Sequence, residues 1–347
     1  VHSFTGTSDH DFTGLVSGQL LEYNGTGITS TGVSPSSANL LSASTGSNSI
    51  IANNGTGNVA GGFYTIVGGQ GNIASGNYSV IGGGVYNKST ADGTFIGGGR
   101  SNSAITGGYS VIVGGKTNLI TGTTYNYSII GAGRQNKILN GDSAILGGVQ
   151  NTVTGQYSSI VGGIQNLASG NRTFIGGGAG NSATTEYSTI IGGNNNMASG
   201  NKSFVGAGQN NSATTIYSSI VGGVQNIVSG NNGAIVGGRN NIASGILSFI
   251  GGGMNNTASG TGSTVVGGTG HTVSGVLSFI AGGRNNTVSS YNSSIIGGRQ
   301  NTVSTYESFI GGGRYNQVTA GLSVVVGGNG NYCQSQESFI GGGRSHR

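Results

Sequence analysis

In 347 residues the chain holds 75 glycines, one proline, one cysteine and no tryptophan, and only 6% of its residues are charged. That composition excludes the ordinary soluble enzyme, with roughly 25% charged residues and about 7% glycine, and also collagen, which needs glycine at every third position and abundant proline; the recurring Val and Ile argue against disorder. Thirteen basic against eight acidic residues give a net charge of +5, too thin a balance to predict nucleic acid as a partner, and no apolar run approaches the ~20 residues of a membrane helix.

Val1 in place of an initiator methionine suggests a processed or truncated chain. Residues 1–47 do not repeat and are read as a stalk or assembly strand, in which Phe4, Phe12, Leu15, Leu20 and Leu21 could add strands to a neighbouring molecule. His2, Asp9 and His10 are read as a solvated start, not a metal site. Residues 48–62 look like one degenerate coil, the first of a repeat domain spanning 48–347. From Phe63 onward the chain repeats every fifteen residues, as in YSSIVGGIQNLASGN (157–171) and YSTIIGGNNNMASGN (187–201). Rungs starting at 63, 78, 93, 109, 127 and then every fifteen residues give eighteen full rungs and a partial nineteenth at 337. The extra residues, one near Gly108 and three at 124–126, fall at the same point of the rung and mark an exposed turn. The last rung stops mid-coil at Arg347; a removed C-terminal domain or residues 1–47 of the next molecule is expected to cover that edge, the latter building a head-to-tail filament.

Within the rung, the fourth position is Ile or Val throughout, from Ile66 to Ile340, and the twelfth is mostly Ala or Val, as in Ala74, Val153 and Val318. Two short β-rich segments separated by glycine pairs, with no 3.6-residue stripe, predict an all-β parallel β-solenoid (β-roll). It would have two short strands in each fifteen-residue coil and about 19 coils, stacked ~4.8 Å apart into a rod roughly 90 Å long. Cys333 lies on the twelfth column and is read as a small buried hydrophobe, not a nucleophile. The tenth position is Asn in every full rung but one, where His271 stands. This is expected to be an internal amide ladder, with Asn also suited to a left-handed turn.

Other columns bear on function. Phe occupies the third position as Phe95, Phe174, Phe204, Phe249, Phe279, Phe309 and Phe339, always with Gly or Ala at the fifth. Elsewhere the third residue is mostly small and the fifth Val, Ile or Leu, so volume is conserved on one strand face. That stripe is read as a self-association surface; the alternative is Phe lying over glycine on the surface of a monomer. Tyr157, Tyr187 and Tyr217 alternate with Arg172 and Lys202 at the first position, a stack suited to cation–π packing or to a carbohydrate-binding strip. Arg284, Arg299 and Arg314 at the eighth position form a candidate column for anionic ligands or, alternatively, a solubilising edge. The Ser/Thr column at the second position (Ser158, Thr173, Ser188, Ser203, Ser218) raises ice binding, although its parity with the Ile column points it inward. Of eleven N-x-S/T sequons, Asn77, Asn126, Asn171 and Asn201 sit at the rung-end turn and are the expected glycosylation sites, whereas Asn87 belongs to the ladder.

No acid, base and nucleophile constellation is present, so no catalysis, cofactor or metal is expected. Asp is too sparse, and the period too long, for a calcium-binding nonapeptide roll. The phrases SFIGGGMNNTASG, SFIAGGRNNTVSS and SFIGGGRYNQVTAG resemble the head repeats of YadA-like trimeric adhesins and similar repeats of tail-fibre-like proteins from bacteria, phages and large viruses, over roughly residues 48–347. Residues 8–28 look like the stalk segments of such fibres. The resemblance implies a trimeric β-roll on a cell or virion surface, with many members assembled by a C-terminal chaperone domain that is cleaved away; the fifteen-residue period departs from the more usual fourteen. The expected function is an extracellular structural fibre that self-associates, as a trimer or a head-to-tail filament, and presents adhesive surfaces. The alternatives are a module binding extracellular glycans through the Arg or Tyr column, and ice binding. Neither nucleic-acid binding nor membrane insertion is expected.

Overall fold

The computed structural model describes residues 21–23, 28–30, 41–43, 46, 48–52, 56–122 and 127–347. Two short hairpins precede the repeats: Leu21–Tyr23 pairs antiparallel with Ile28–Ser30, and Leu41–Ala43 with Ile50–Ala52. Ile50–Ala52 then pairs in parallel with Ile66–Val67, so the sheet of the repeat domain also takes in a strand from before residue 48.

From there the chain is a parallel β-solenoid. Each coil contributes one two-residue strand to each of two sheets, for example Ser159–Ile160 to the first and Leu167–Ala168 to the second, and every strand pairs with its counterpart in the next coil. Among the described residues the second sheet holds nineteen such strands, Val59–Ala60 to Tyr332–Cys333. Alternation along a strand sends successive side chains to opposite faces. The fourth and twelfth positions therefore point inward and merge into one core, with Ile160, Ile175, Ala168 and Ala183 all fully buried. Each buried Ile contributes about 1.5–3 kcal/mol relative to exposure, and the small residues opposite leave room for it. Cys333 is buried on the same column.

The first coil shifts the expected register. Val67, not Ile66, occupies the core column: Val67 pairs with Ile81 and is fully buried, whereas Ile66 is 47% exposed. The cause is one residue fewer in the turn, since Val67 precedes Gly68–Gly69–Gln70 whereas Ile81 precedes Gly82–Gly83–Gly84–Val85, and Gln70 bridges Val85. Tyr64 thus heads this coil, its ring stacked on that of Tyr78 with centroids 5.5 Å apart. The long coils are absorbed as expected, with Phe95 pairing Val111 and Val111 pairing Ile129; residues 123–126, which carry the larger insertion, lie outside the described residues.

A third parallel ladder, one residue wide, runs along the eighth position between the two sheets. The coil therefore turns twice, once through positions six to ten and once through fourteen to one, on opposite sides of the sheet pair. Both turns use left-handed backbone. Glycine at the seventh position has φ near +90°, as in Gly163 (92°) and Gly253 (89°). The non-glycine left-handed residues are the ninth (Gln165, φ 56°; Asn195, φ 52°) and the first (Tyr157, φ 58°; Leu247, φ 58°). The tenth-position Asn, expected to exploit that conformation, does not adopt it.

What the tenth Asn does is close the ladder. Asn166 accepts the amide N–H of Asn181 on Oδ1 (3.0 Å), while its Nδ2 donates to the carbonyl of Gly162 in its own coil and of Gly178 in the next (3.0 Å each). The arrangement recurs from Asn72 to Asn331. Each side chain satisfies three backbone groups at a corner that excludes water. A hydroxyl ladder supports the opposite turn: Ser158 Oγ accepts from the N–H of Thr173 (3.0 Å) and donates to Gly170 O (2.9 Å).

His271 interrupts the amide column. Its Nδ1 accepts the N–H of Asn286 (3.2 Å), but Nε2 is buried without a hydrogen-bond partner. Burial holds the imidazole below its ordinary 6.5, opposed by the backbone of Gly283 and Asn286. The folded state therefore binds a proton less readily than the unfolded chain, so stability is full above about pH 6.5 and falls as the pH drops below it. His271→Asn is expected to restore the missing donor, raise stability by about 1–2 kcal/mol and abolish that acid-side loss. Paired thermal melts at pH 7.5 and pH 5 read both effects, and a variant no more stable than the parent would contradict the ladder account.

Candidate binding surfaces

The second-position column faces the interior: Ser158, Thr173, Ser188, Ser203 and Ser218 are all buried. It cannot meet an ice surface, and the ice-binding reading loses the residues that motivated it.

The third and fifth positions face outward on the first sheet. Phe rings lie along their own strand over the glycine two residues on: the Phe204 ring edge sits 3.4 Å from where a Cβ on Gly206 would lie, and Phe309 does the same over Gly311. Across coils Phe174 is flanked by Ser159 and Thr189 and Phe204 by Thr189 and Ser219, whereas Phe95 lies between Val80 and Val111. This local packing explains the volume exchange noted in the sequence. Phe204, Phe249, Phe279 and Phe309 are half-buried by it, Phe174 is 37% exposed and Phe339 71%. In the coils between, the fifth-position side chains stand free, Val161 43%, Ile191 50%, Val221 53% and Ile296 47% exposed. Rings and aliphatic side chains together make an apolar outer face along the first sheet.

At the first position, the Arg172 guanidinium lies between the Tyr157 and Tyr187 rings, 5.5 and 5.4 Å from their centroids, and pairs with Glu186 at 2.6 Å. Lys202 covers Tyr217 with Nζ 5.0 Å from the ring centroid, and its Nζ donates to the Tyr217 hydroxyl oxygen at 2.9 Å. That hydrogen bond, first, and the Tyr217 charge raise the Lys202 pKa. These contacts occupy ring faces that a sugar would need, which favours packing for Tyr157, Tyr187 and Tyr217.

Arg284, Arg299 and Arg314 pair directly through their backbones in three successive coils of the eighth-position ladder, and all three are exposed. Unless the side chains splay, like charges one coil apart repel by up to about 0.9 kcal/mol even in water. Among the described residues the one ion pair is Arg172–Glu186, so no carboxylate relieves this column. The sequence places Arg100 and Arg134 at the eighth position too, but Lys116, which joins them into a second run on the same ladder, was missed because it is not an arginine. The signal was present as a basic residue at the eighth position of three consecutive rungs, two of which carry the inserted residues that blur their alignment.

Of the sequon residues, Asn171 is exposed and Asn77 and Asn201 are half-buried, with the side-chain carbonyls of Asn77 and Asn171 accepting backbone N–H groups of Phe63 and Gln156. Asn126 lies outside the described residues. Asn87 is buried in the ladder as expected, but Asn210, Asn255 and Asn285 at the ninth position are exposed, and sequence reading did not single them out.

Among the described residues, no group of three or more His, Cys, Asp or Glu comes together to hold a metal ion, and no helix is long and apolar enough to cross a membrane. Comparison of the chain with protein-family models and with curated proteins finds no match.

Proposed function

We propose that this chain is a structural fibre protein of a cell or virion surface, a β-solenoid rod that associates with copies of itself and presents its remaining faces for adhesion. The observation that carries this reading is the apolar outer face of the first sheet. A strand lined on both faces by apolar residues is the pattern of a sheet buried on both sides. A contiguous exposed apolar strip of this length is what a partner surface covers, and a second copy carries the same repeat spacing. The rod form supports the role, because coils repeating at ~4.8 Å give length and stiffness without a globular core.

Light scattering tests it. A mass near three times the 34.1 kDa chain, or an open-ended series, is the expected result. Introducing Ile191→Lys, Val221→Lys and Ile296→Lys together should reduce the particle to a single chain while its β-sheet circular dichroism is retained. A monomeric parent chain would overturn the proposal.

A further inference from the structure

Charge is sorted across the rod. Thirteen Lys and Arg residues are shared among fifteen coil positions, yet eight of them stand on the eighth-position ladder, in runs such as Arg100–Lys116–Arg134 and Arg284–Arg299–Arg314, with Arg239 and Arg344 elsewhere on it. No acidic residue occurs anywhere on that ladder. All five acidic residues of the coils (Asp92, Asp142, Glu186, Glu307, Glu337) fall instead at the first or fifteenth position, in the turn on the opposite side. Lys88 and Lys137 extend the first run onto the outer face of the second sheet, so four consecutive coils from residue 78 each carry at least one exposed cation on this side.

Folding does not require this. The eighth position also takes Gln70, Val149, Ala179 and Thr269 in the same ladder, so the pairing tolerates any side chain, and stacking cations there works against stability. The geometry is that of a positive edge whose charges recur from one coil to the next. We propose that this edge binds a linear acidic polysaccharide lying along the rod axis, its sulfate or carboxylate groups bridging guanidinium and ammonium groups of successive coils. Nucleic acid fits less well: of the ninth-position residues adjoining Arg284, Arg299 and Arg314, Asn285 and Gln300 give no ring on which bases could stack, and Tyr315 alone offers one. The proposal names a ligand class for the adhesive role above and rests on that reading.

The test is titration calorimetry of the full chain with heparin as probe, with neutral dextran and poly(dT) alongside, over a range of salt. Arg284→Gln, Arg299→Gln and Arg314→Gln combined should weaken heparin binding at least about tenfold and lower the slope of log K against log salt by about 2. A control away from the edge, Arg172→Gln with Lys202→Gln, removes two charges from the opposite turn and should change affinity less than about twofold. Equal losses in both variants, no binding of heparin, or poly(dT) bound as tightly as heparin would each overturn the proposal. Electron micrographs of the same samples separate it from the fibre reading: rods that ignore heparin defeat only the ligand assignment, whereas the absence of self-associated rods defeats the fibre.

Discussion

Replacing Asn166 with Ala should destabilise the protein by about 3 kcal/mol or more. The substitution strands three backbone groups at once: the N–H of Asn181 and the carbonyls of Gly162 and Gly178. Each buried group left unpaired costs about 1–3 kcal/mol, and none can be recovered by an alanine methyl. The neighbouring Gln165 supplies the control. It is left-handed at φ 56° and exposed, so Gln165→Gly should leave stability unchanged or raise it by relieving the backbone. Urea unfolding followed by far-ultraviolet circular dichroism compares the two, and an Asn166→Ala midpoint equal to the parent's would show that water replaces the ladder at no cost.

Gly163→Ala and its neighbour Gly162→Ala should differ sharply although the two residues are adjacent in a Gly-Gly pair. Gly163 has φ +92°, and a Cβ there would collide with the carbonyl oxygen of Gly178 and stand 2.6 Å from Asn166 Nδ2. Backbone strain and the lost ladder contact together should cost more than about 3 kcal/mol. A Cβ on Gly162 meets nothing within 4 Å, so Gly162→Ala should lie within about 0.5 kcal/mol of the parent. The chain has already made the milder change, with Ala132 and Ala207 at the sixth position, while the seventh is glycine in every coil. Thermal melting of the two single variants decides it; equal midpoints would mean that the coils separate enough to admit a side chain.

Much of this architecture was legible because a solenoid writes each structural requirement nineteen times. Ile at the fourth position and Asn at the tenth disclose the core and the ladder in the sequence itself, and the parity between Ser158 and Ile160 correctly turns the hydroxyl column inward. What escaped were features set by geometry without a residue preference strong enough to repeat. Left-handed φ at the first position is held by Tyr157, Arg172, Leu247 and Glu307 alike, so no column announces it. The register of the first coil depended on a single missing turn residue, which Ile66 and Val67, both apolar, could not reveal. The eighth-position bridge accepts any side chain, which hid both the third ladder and the place of Lys116 in it.

The strict coil-to-coil pairing has a mechanical consequence. Parallel ladders join each coil only to the one before and the one after, so tension applied at the two ends has no long-range clasp to break at once. The rod should yield from its ends or beside His271, where the ladder lacks a donor contact, and each coil that lets go releases about 45 Å of chain, fifteen extended residues less one stacking distance. A rod of such coils would lengthen under load in a train of similar steps and could rewind between them, absorbing energy as it extends.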